Sequence, residues 1–244
     1  MERSEYERLE SAEERMWWFR ATHANLLAAL ADAAPPPGPV LDAGCGTGGL
    51  LRRLTEAHPG RLVLGLDADS GASRAARRKS GRPVAVGSVN ELPFAAGSLA
   101  GIISADVLCH RNVDEGAALA AFHRCLAQGG VLVLNLPAYD WLLSGHDRAV
   151  HNVRRYTARR AARLLRAAGF RAVRTTYWNS ILFPLMVVRR KLLDRLRAGS
   201  DVGEFPGPVD RAFRAVTAFE TALIRAGLRL PFGGSILAVA VKHG

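Results

Sequence analysis

Apolar residues recur along this chain in two rhythms. Leu9, Met16 and Phe19, then Leu26, Leu27 and Leu30, fall at helical spacing and predict two helices between Glu2 and about Ala33. The run Ala34-Pro35-Pro36-Pro37-Gly38-Pro39 follows as a stiff connector. Beyond it, short apolar runs alternate with helical stretches. The predicted strands are Val40-Leu41, Arg61 to Leu66, about Pro83 to Gly87, Leu99 to Ala105, Val131 to Leu136, Phe170 to Trp178 and Ser235 to Lys242. Between them lie predicted helices at about Thr47 to Ala57, Ser70 to Ser80, Asp114 to Leu126, and Thr157, as an N-cap, to Ala168. Gln128-Gly129-Gly130 reads as the stop of the third of these, and Gly169 as the stop of the fourth. Strands alternating with helices imply an α/β domain with a mostly parallel sheet. Two further helical stretches, Ile181 to Arg197 and Val209 to Leu228, interrupt the pattern before the last strand, with Pro206 and Pro208 in the loop between them.

The junction after the first strand carries the most specific chemistry. Asp42-Ala43-Gly44-Cys45-Gly46-Thr47-Gly48 places three glycines at alternate positions behind a carboxylate. Glycines let a main chain bend sharply and approach a ligand, and the following helix turns its N-terminus toward the same place. Gly44, Gly46 and Gly49 also satisfy G-x-G-x-x-G, the dinucleotide pattern. Asp42 separates the two readings, because a carboxylate aimed into the turn repels a pyrophosphate and attracts an ammonium group. Asp67 ends the second strand, where an acidic residue can accept hydrogen bonds from ribose hydroxyls of either ligand; alternatively it belongs to a helix start with Asp69 and Ser70.

The D-x-G-x-G-x-G pattern resembles the first motif of the class I S-adenosylmethionine-dependent methyltransferases. The resemblance has specific motifs from about Val40 to Leu136, and extends more loosely to Arg174 and the last strand. It implies a Rossmann-like, seven-stranded, mostly parallel sheet whose last strand enters antiparallel beside the fifth. On this reading residues 1–34 are a helical cap, 35–178 with 231–244 the cofactor-binding core, and 179–230 a helical insertion or lid. S-adenosylmethionine is the implied cofactor, with Asp42, Gly44, Cys45, Gly46, Asp67, Ala68, Ser88, Val89 and Asp106 as its binding candidates. Gly87-Ser88-Val89-Asn90-Glu91-Leu92-Pro93-Phe94 is similar to the family segment that holds adenine. It departs from it at Ser88, where an aspartate is usual, and leaves Asn90 or Glu91 as substitutes.

The acceptor side is read from the strand ends. His110 follows the fourth strand, at the sheet edge that opens onto a ligand crevice. The loop after Pro137 is dense in polar and aromatic groups, among them Tyr139, Asp140, Trp141, His146, Asp147, His151 and Asn152. Catalytic candidates are His110, His146, His151 and Tyr139, with the histidines as bases for a hydroxyl acceptor. Trp17-Trp18-Phe19 either packs on the sheet edge or covers the site, and Trp17, Trp18 and Tyr139 could offer aromatic faces to a sulfonium. His146, Asp147 and His151 have ligand-like spacing, but methyl transfer needs no metal and none is expected.

Composition narrows the partners. The formal charge is +11 over 244 residues, yet 14 Arg or Lys against two Asp lie between His146 and Ser200, so the remainder is near neutral. Only three of the 33 basic residues are lysines, a bias that genome composition can produce, so nucleic acid is not the expected partner. The arginines hint at a small acceptor that is anionic, or glycan- or lipid-linked. Val187 to Arg197 reads as a basic amphipathic helix that caps the acceptor pocket, touches an anionic membrane or simply stays solvated. Cys45, Cys109 and Cys125 lack pairing or zinc spacing, which implies reduced thiols and a cytoplasmic setting. The glutamate-rich start does not read as a secretory signal, and no apolar run approaches the roughly 20 residues of a spanning helix. The reading is a methyltransferase acting on an O, N or C nucleophile. The alternatives are an NAD-dependent oxidoreductase, or a non-enzymatic RNA- or membrane-binding protein on the same fold.

Overall fold

A computed structural model describes residues 16–190 and 206–243. Most of the first predicted helix and most of the basic stretch 187–197 lie outside the described residues. The first helix among the described residues is α1 (Trp17–Ala33), which ends where Ala34 takes a left-handed φ of 49°. The proline connector that follows is pinned rather than merely stiff, because the Arg61 guanidinium donates to the carbonyls of Pro35 and Pro36 at 2.9 and 2.8 Å.

The alternating core then unfolds in order: β1 (Val40–Ala43), α2 (Gly49–Ala57), β2 (Val63–Asp67), α3 (Ser70–Ser80), β3 (Val84–Val86), β4 (Leu99–Ala105), α4 (Glu115–Cys125) and β5 (Leu126–Pro137). A 3-10 turn at Asp140–Leu142 and the short α5 (Gly145–Ala149) lead to α6 (Ala158–Ala167) and β6 (Arg171–Trp178). Then come α7 (Phe183–Val188), α8 (Gly207–Arg225) and β7 (Ser235–Val241). Local chemistry starts several helices. Asp69 caps α3 by accepting from Ala72 N at 2.8 Å, Asp114 does the same for α4 through Ala117 N at 2.8 Å, and Thr157 caps α6 through Arg160 N at 3.1 Å. Of the two acidic residues near the second strand, Asp69 is therefore the cap, which leaves Asp67 for other work.

The seven strands form one sheet in the order β3-β2-β1-β4-β5-β7-β6. The first five pair in parallel, and β7 runs antiparallel to both β5 and β6, as the methyltransferase resemblance implies. Two apolar layers sandwich the sheet. Val40, Val63 and Ile103 face a layer with Leu26, Leu30, Leu50 and Leu54, while Leu41, Leu66 and Ile102 face Phe122, Leu165 and Phe170. Consecutive residues of β1 thus bury opposite ways, as a parallel strand covered on both faces must.

One predicted boundary moves. Gln128-Gly129-Gly130 does not stop α4; the helix ends at Cys125 and β5 begins at Leu126. Leu126 pairs with Leu99, and the extension is held by the far end of the chain: Gly129 N donates to Lys242 O, Lys242 N to Gly130 O, and Lys242 Nζ to Leu126 O. Of the predicted 181–197 helix, α7 covers 183–188, and residues 191–197 lie outside the described residues.

β1 and β4 are neighbours although β2 and β3 diverge to one side, so the crevice of the sheet opens at their carboxyl ends. The glycine turn, Asp106 and His110 all lie at that edge.

Candidate active site

The glycine turn is built by close approach. Gly44 has φ +82°, and a Cβ there would lie 2.3 Å from Val107 Cγ2; Gly48 has φ +91°, and its Cβ would meet the Ala76 backbone at 2.6 Å. Neither site admits a side chain. Gly46 differs, since its φ is +51° but the space where a Cβ would stand is open. That open side faces a cavity of about 710 Å³ lined by Asp42, Gly44, Cys45, Gly46, Asp67, Ala68, Ser88, Val89 and Asp106, which brings together all the predicted cofactor residues.

The turn's amides decide what that cradle can hold. Gly44 N and Cys45 N both donate to Leu66 O, at 2.7 and 3.0 Å, and Gly48 N donates to Cys45 O at 2.9 Å. Gly46 N donates to Asp67 Oδ2 at 2.9 Å, and Asp69 N to Asp67 Oδ1 at 2.9 Å. Four N–H groups that a pyrophosphate would need are therefore committed within the protein, and the buried Asp42 carboxyl stands directly behind them. Asp67, whose carboxyl burial raises above its usual range, retains lone pairs on both oxygens toward the cavity. The cradle suits a nucleoside with a cationic head and hydroxyl donors. It does not suit a diphosphate.

A family model described as a methyltransferase domain matches residues 41–134, the core of this chain. Among curated proteins, 24-methylenesterol C-methyltransferase 2 of Oryza sativa subsp. japonica is 30% identical over 137 residues, covering 50% of this chain and 36% of that protein. Malonyl-[acyl-carrier protein] O-methyltransferase of Geobacter sulfurreducens is 29% identical over 153 residues, covering 56% of this chain and 57% of that protein. The chain thus spans between about a third and about half of the length of these relatives. Among solved structures, a methyltransferase from Thermotoga maritima superposes with a TM-score of 0.60 at 19% identity, over 97% of this chain and 98% of that one. Phosphoethanolamine N-methyltransferase 2 of Haemonchus contortus, bound to S-adenosyl-L-methionine, superposes at 0.60 with 16% identity, over 90% and 52%.

Of the segment expected to hold adenine, Ser88 and Val89 line the cavity. Asn90 and Glu91 do not line it. The Asn90 amide is occupied elsewhere, donating to Asn112 O at 3.0 Å and accepting from Asp114 N at 3.0 Å, and Glu91 is exposed.

The cavity continues past His110 into a second chamber. His23, His110, His146 and His151 border it, with Trp17, Trp18 and Phe19 of α1, Leu182, Leu185, Met186 and Val188 around α7, and Phe213 of α8. Trp17 meets Phe213 edge-on at 5.4 Å, its backbone N–H donates to Asp210 Oδ1 at 3.0 Å, and Trp18 stacks on Trp178 at 6.4 Å. The three aromatics therefore wall the site as well as pack. Burial pushes the His110 imidazole down to about 4 and the His23 imidazole down to about 3, so both are neutral near pH 7.

Tyr139 is not brought to the cavity. It stacks on Tyr177 at 5.3 Å and on Trp141 at 5.7 Å, and burial with its Tyr177 neighbour raises its phenol well above the ordinary value. Two aromatic candidates for facing a sulfonium remain, Trp17 and Trp18.

Four members of the arginine-rich stretch are internal wiring. Arg155 grips Asp147, which is 1% exposed, with Nη2 at 2.8 Å from each carboxylate oxygen, and Arg190 approaches the same group at 3.5 Å. Arg160 and Arg154 converge on Glu115 at 2.9 and 3.7 Å. Burial alone would raise Asp147, but Arg155 and Arg190 prevail and hold its carboxyl below the usual range. Asp147 also accepts from Ser144 N, so the residue that looked like a metal ligand is the anchor of α5. No cluster of His, Cys, Asp or Glu suited to a metal occurs among the described residues.

Sequence reasoning missed two contributors. Asn135 on β5 and Glu220 on α8 shape the site without any local signature. Glu220 Oε1 accepts from Ser180 N and Ile181 N at 2.8 and 2.6 Å and fixes the approach to α7.

Proposed function

We propose that this chain is a methyltransferase that uses S-adenosylmethionine to methylate a small, largely apolar acceptor. The observation that carries this reading is the continuity of one cavity from the polar cradle at Gly46 and Asp67 into the chamber around α7. Bound in the cradle, the cofactor supplies a methyl group already activated as a sulfonium. The protein's own work is then to align the acceptor and exclude water.

Trp17, Trp18 and Phe213 close that chamber on one side, and Leu182, Leu185, Met186 and Val188 supply its apolar wall. Leu185 and Val188 are about half exposed while lining it, which places apolar surface at the mouth. Arg154, Arg155, Arg160 and Arg190 have internal carboxylate partners, so support for an anionic acceptor narrows to Arg111 and Arg189 among the arginines that line the cavity. The name of the rice relative gives a sterol as its acceptor, which fits an apolar chamber in a related core.

Incubation with methyl-tritiated S-adenosylmethionine and a metabolite extract tests the proposal. Label should enter the solvent-extractable fraction containing isoprenoids, sterols and acyl compounds. Label confined to RNA, protein or polar solutes would contradict the apolar acceptor.

A further inference from the structure

Asp106 sits at the carboxyl end of β4 and lines the cavity between the cofactor cradle and His110. Its backbone is held at φ +54°, a left-handed conformation that an aspartate tolerates at some cost. His151 and Asn179, which also line the cavity, share this feature at +61° and +57°. Strain of this kind persists only where surrounding bonds over-determine it. Here Asp106 N donates to Asn135 O at 2.9 Å, and the Cys109 thiol lies 3.0 Å from Asp106 O as its donor.

The carboxyl is aimed just as firmly. Trp178 Nε1, which can only donate, bonds Asn135 Oδ1 at 2.8 Å and thereby fixes which end of that amide is which. Asn135 Nδ2 then donates to Asp106 Oδ2 at 2.9 Å. Trp18 stacks on the same Trp178 ring, so the relay is braced from the acceptor side. Asp106 Oδ1 is buried and has no hydrogen-bond partner among the described residues. A carboxylate with one oxygen locked and the other left as an unused, buried acceptor beside the pocket is built to receive a proton.

We propose that Asp106 is a catalytic residue whose Oδ1 accepts the proton of the acceptor's nucleophile during methyl transfer. The nucleophile donates its electron pair to the methyl carbon, and the carbon–sulfur pair returns to sulfur. The proton leaves the nucleophile for Asp106 and passes from there to solvent after product release. Burial pushes the Asp106 carboxyl up to about 7, against the opposing pull of the Asn135 hydrogen bond and the Arg155 charge and with a smaller push from Asp147. That places the group near its best value for proton transfer at neutral pH. Cys109 beside it has a thiol raised well above its ordinary value by burial, and remains protonated.

The inference rests on the cofactor reading above, and one binding experiment separates the two. Sinefungin carries an amine in place of the sulfonium methyl, whereas S-adenosylhomocysteine carries neutral sulfur. The intact chain should bind sinefungin at least tenfold more tightly than S-adenosylhomocysteine at pH 8. Asp106→Asn should abolish that preference while leaving S-adenosylhomocysteine affinity within twofold of the original. In the unaltered chain the preference should also fade as pH drops through about 7. His146 and His151 share the cavity, so the profile is compared with that of Asp106→Ser, which should be flat and which also serves if the asparagine variant does not fold. A preference that is absent at pH 8, or that survives both substitutions, overturns the proposal. So does a tenfold loss of S-adenosylhomocysteine affinity in the variants, which would make Asp106 a holder of the cofactor's amino acid end. If neither ligand binds the intact chain, the cofactor reading itself fails.

Discussion

The two halves of the cavity reach order by different routes. Around Gly44 to Asp69, the amides of Gly44, Cys45, Gly46, Gly48 and Asp69 all bond within that stretch, to backbone carbonyls or to the Asp67 carboxyl. Around His110 to Arg190, order comes from side chains that are distant in sequence, such as Arg155 with Asp147 and Arg190, or Asn135 with Asp106 and Trp178. The first half is a shape that the chain makes by bending. The second is a set of mutual commitments, and loss of one member leaves another buried without its partner.

That difference sets the order of expected effects. Arg155→Ala should be the most damaging, at about 3 to 5 kcal/mol, because it strands the Asp147 carboxylate away from water. Chemical denaturation measures it, and a double change of Arg155→Met with Asp147→Leu should recover most of the loss. The pH dependence has a definite sign. A carboxyl held below its ordinary value stabilises the fold above about pH 4 and loses that contribution as pH falls through its folded value. The acid limb of the stability curve should therefore weaken in the double variant.

Asp67→Ala ranks second, since it removes both the brace on Gly46 and the acceptor for ribose hydroxyls. Affinity for S-adenosylhomocysteine should drop at least about tenfold, or about 1.4 kcal/mol, with melting temperature little changed. Leu185→Ala comes next. It should reduce kcat/KM for the acceptor by about threefold to tenfold through lost apolar contact, with cofactor affinity unaltered. Arg52→Gln on the outer face of α2 should change stability by about 0.5 kcal/mol or less, because its 2.7 Å pair with Glu56 lies at the surface.

The same division governs what the order of residues discloses by itself. The cradle was legible because a carboxylate, three glycines and a second carboxylate at the end of the next strand sit in a fixed local order. The N-cap Thr157 was legible for the same reason. The seven-stranded, mostly parallel sheet and the antiparallel entry of its last strand beside the fifth came with the family resemblance, and Ser70 to Ser80 and Leu99 to Ala105 match residue for residue.

What stayed hidden depends on partners far along the chain. The start of β5 at Leu126 is decided by Lys242, so Gln128-Gly129-Gly130 imitates a helix stop without being one. Charge counting saw arginines and suggested an anionic ligand, but could not see that Glu115 and Asp147 already hold four of them. Asn135 and Trp178 are an unremarked asparagine and a strand-end tryptophan until the fold puts them beside Asp106. Tyr139 stands in the right loop, yet its ring turns to Tyr177 because a stacked aromatic contact was available there.

The central claim is that the bend after β1 uses its own amides and presents carboxylates to the ligand. Calorimetric titration of the intact chain with S-adenosylhomocysteine and, separately, with NADH tests it most directly. Saturable binding of the former with no heat from the latter is the predicted result. Saturable binding of NADH in the absence of any S-adenosylhomocysteine signal would contradict it.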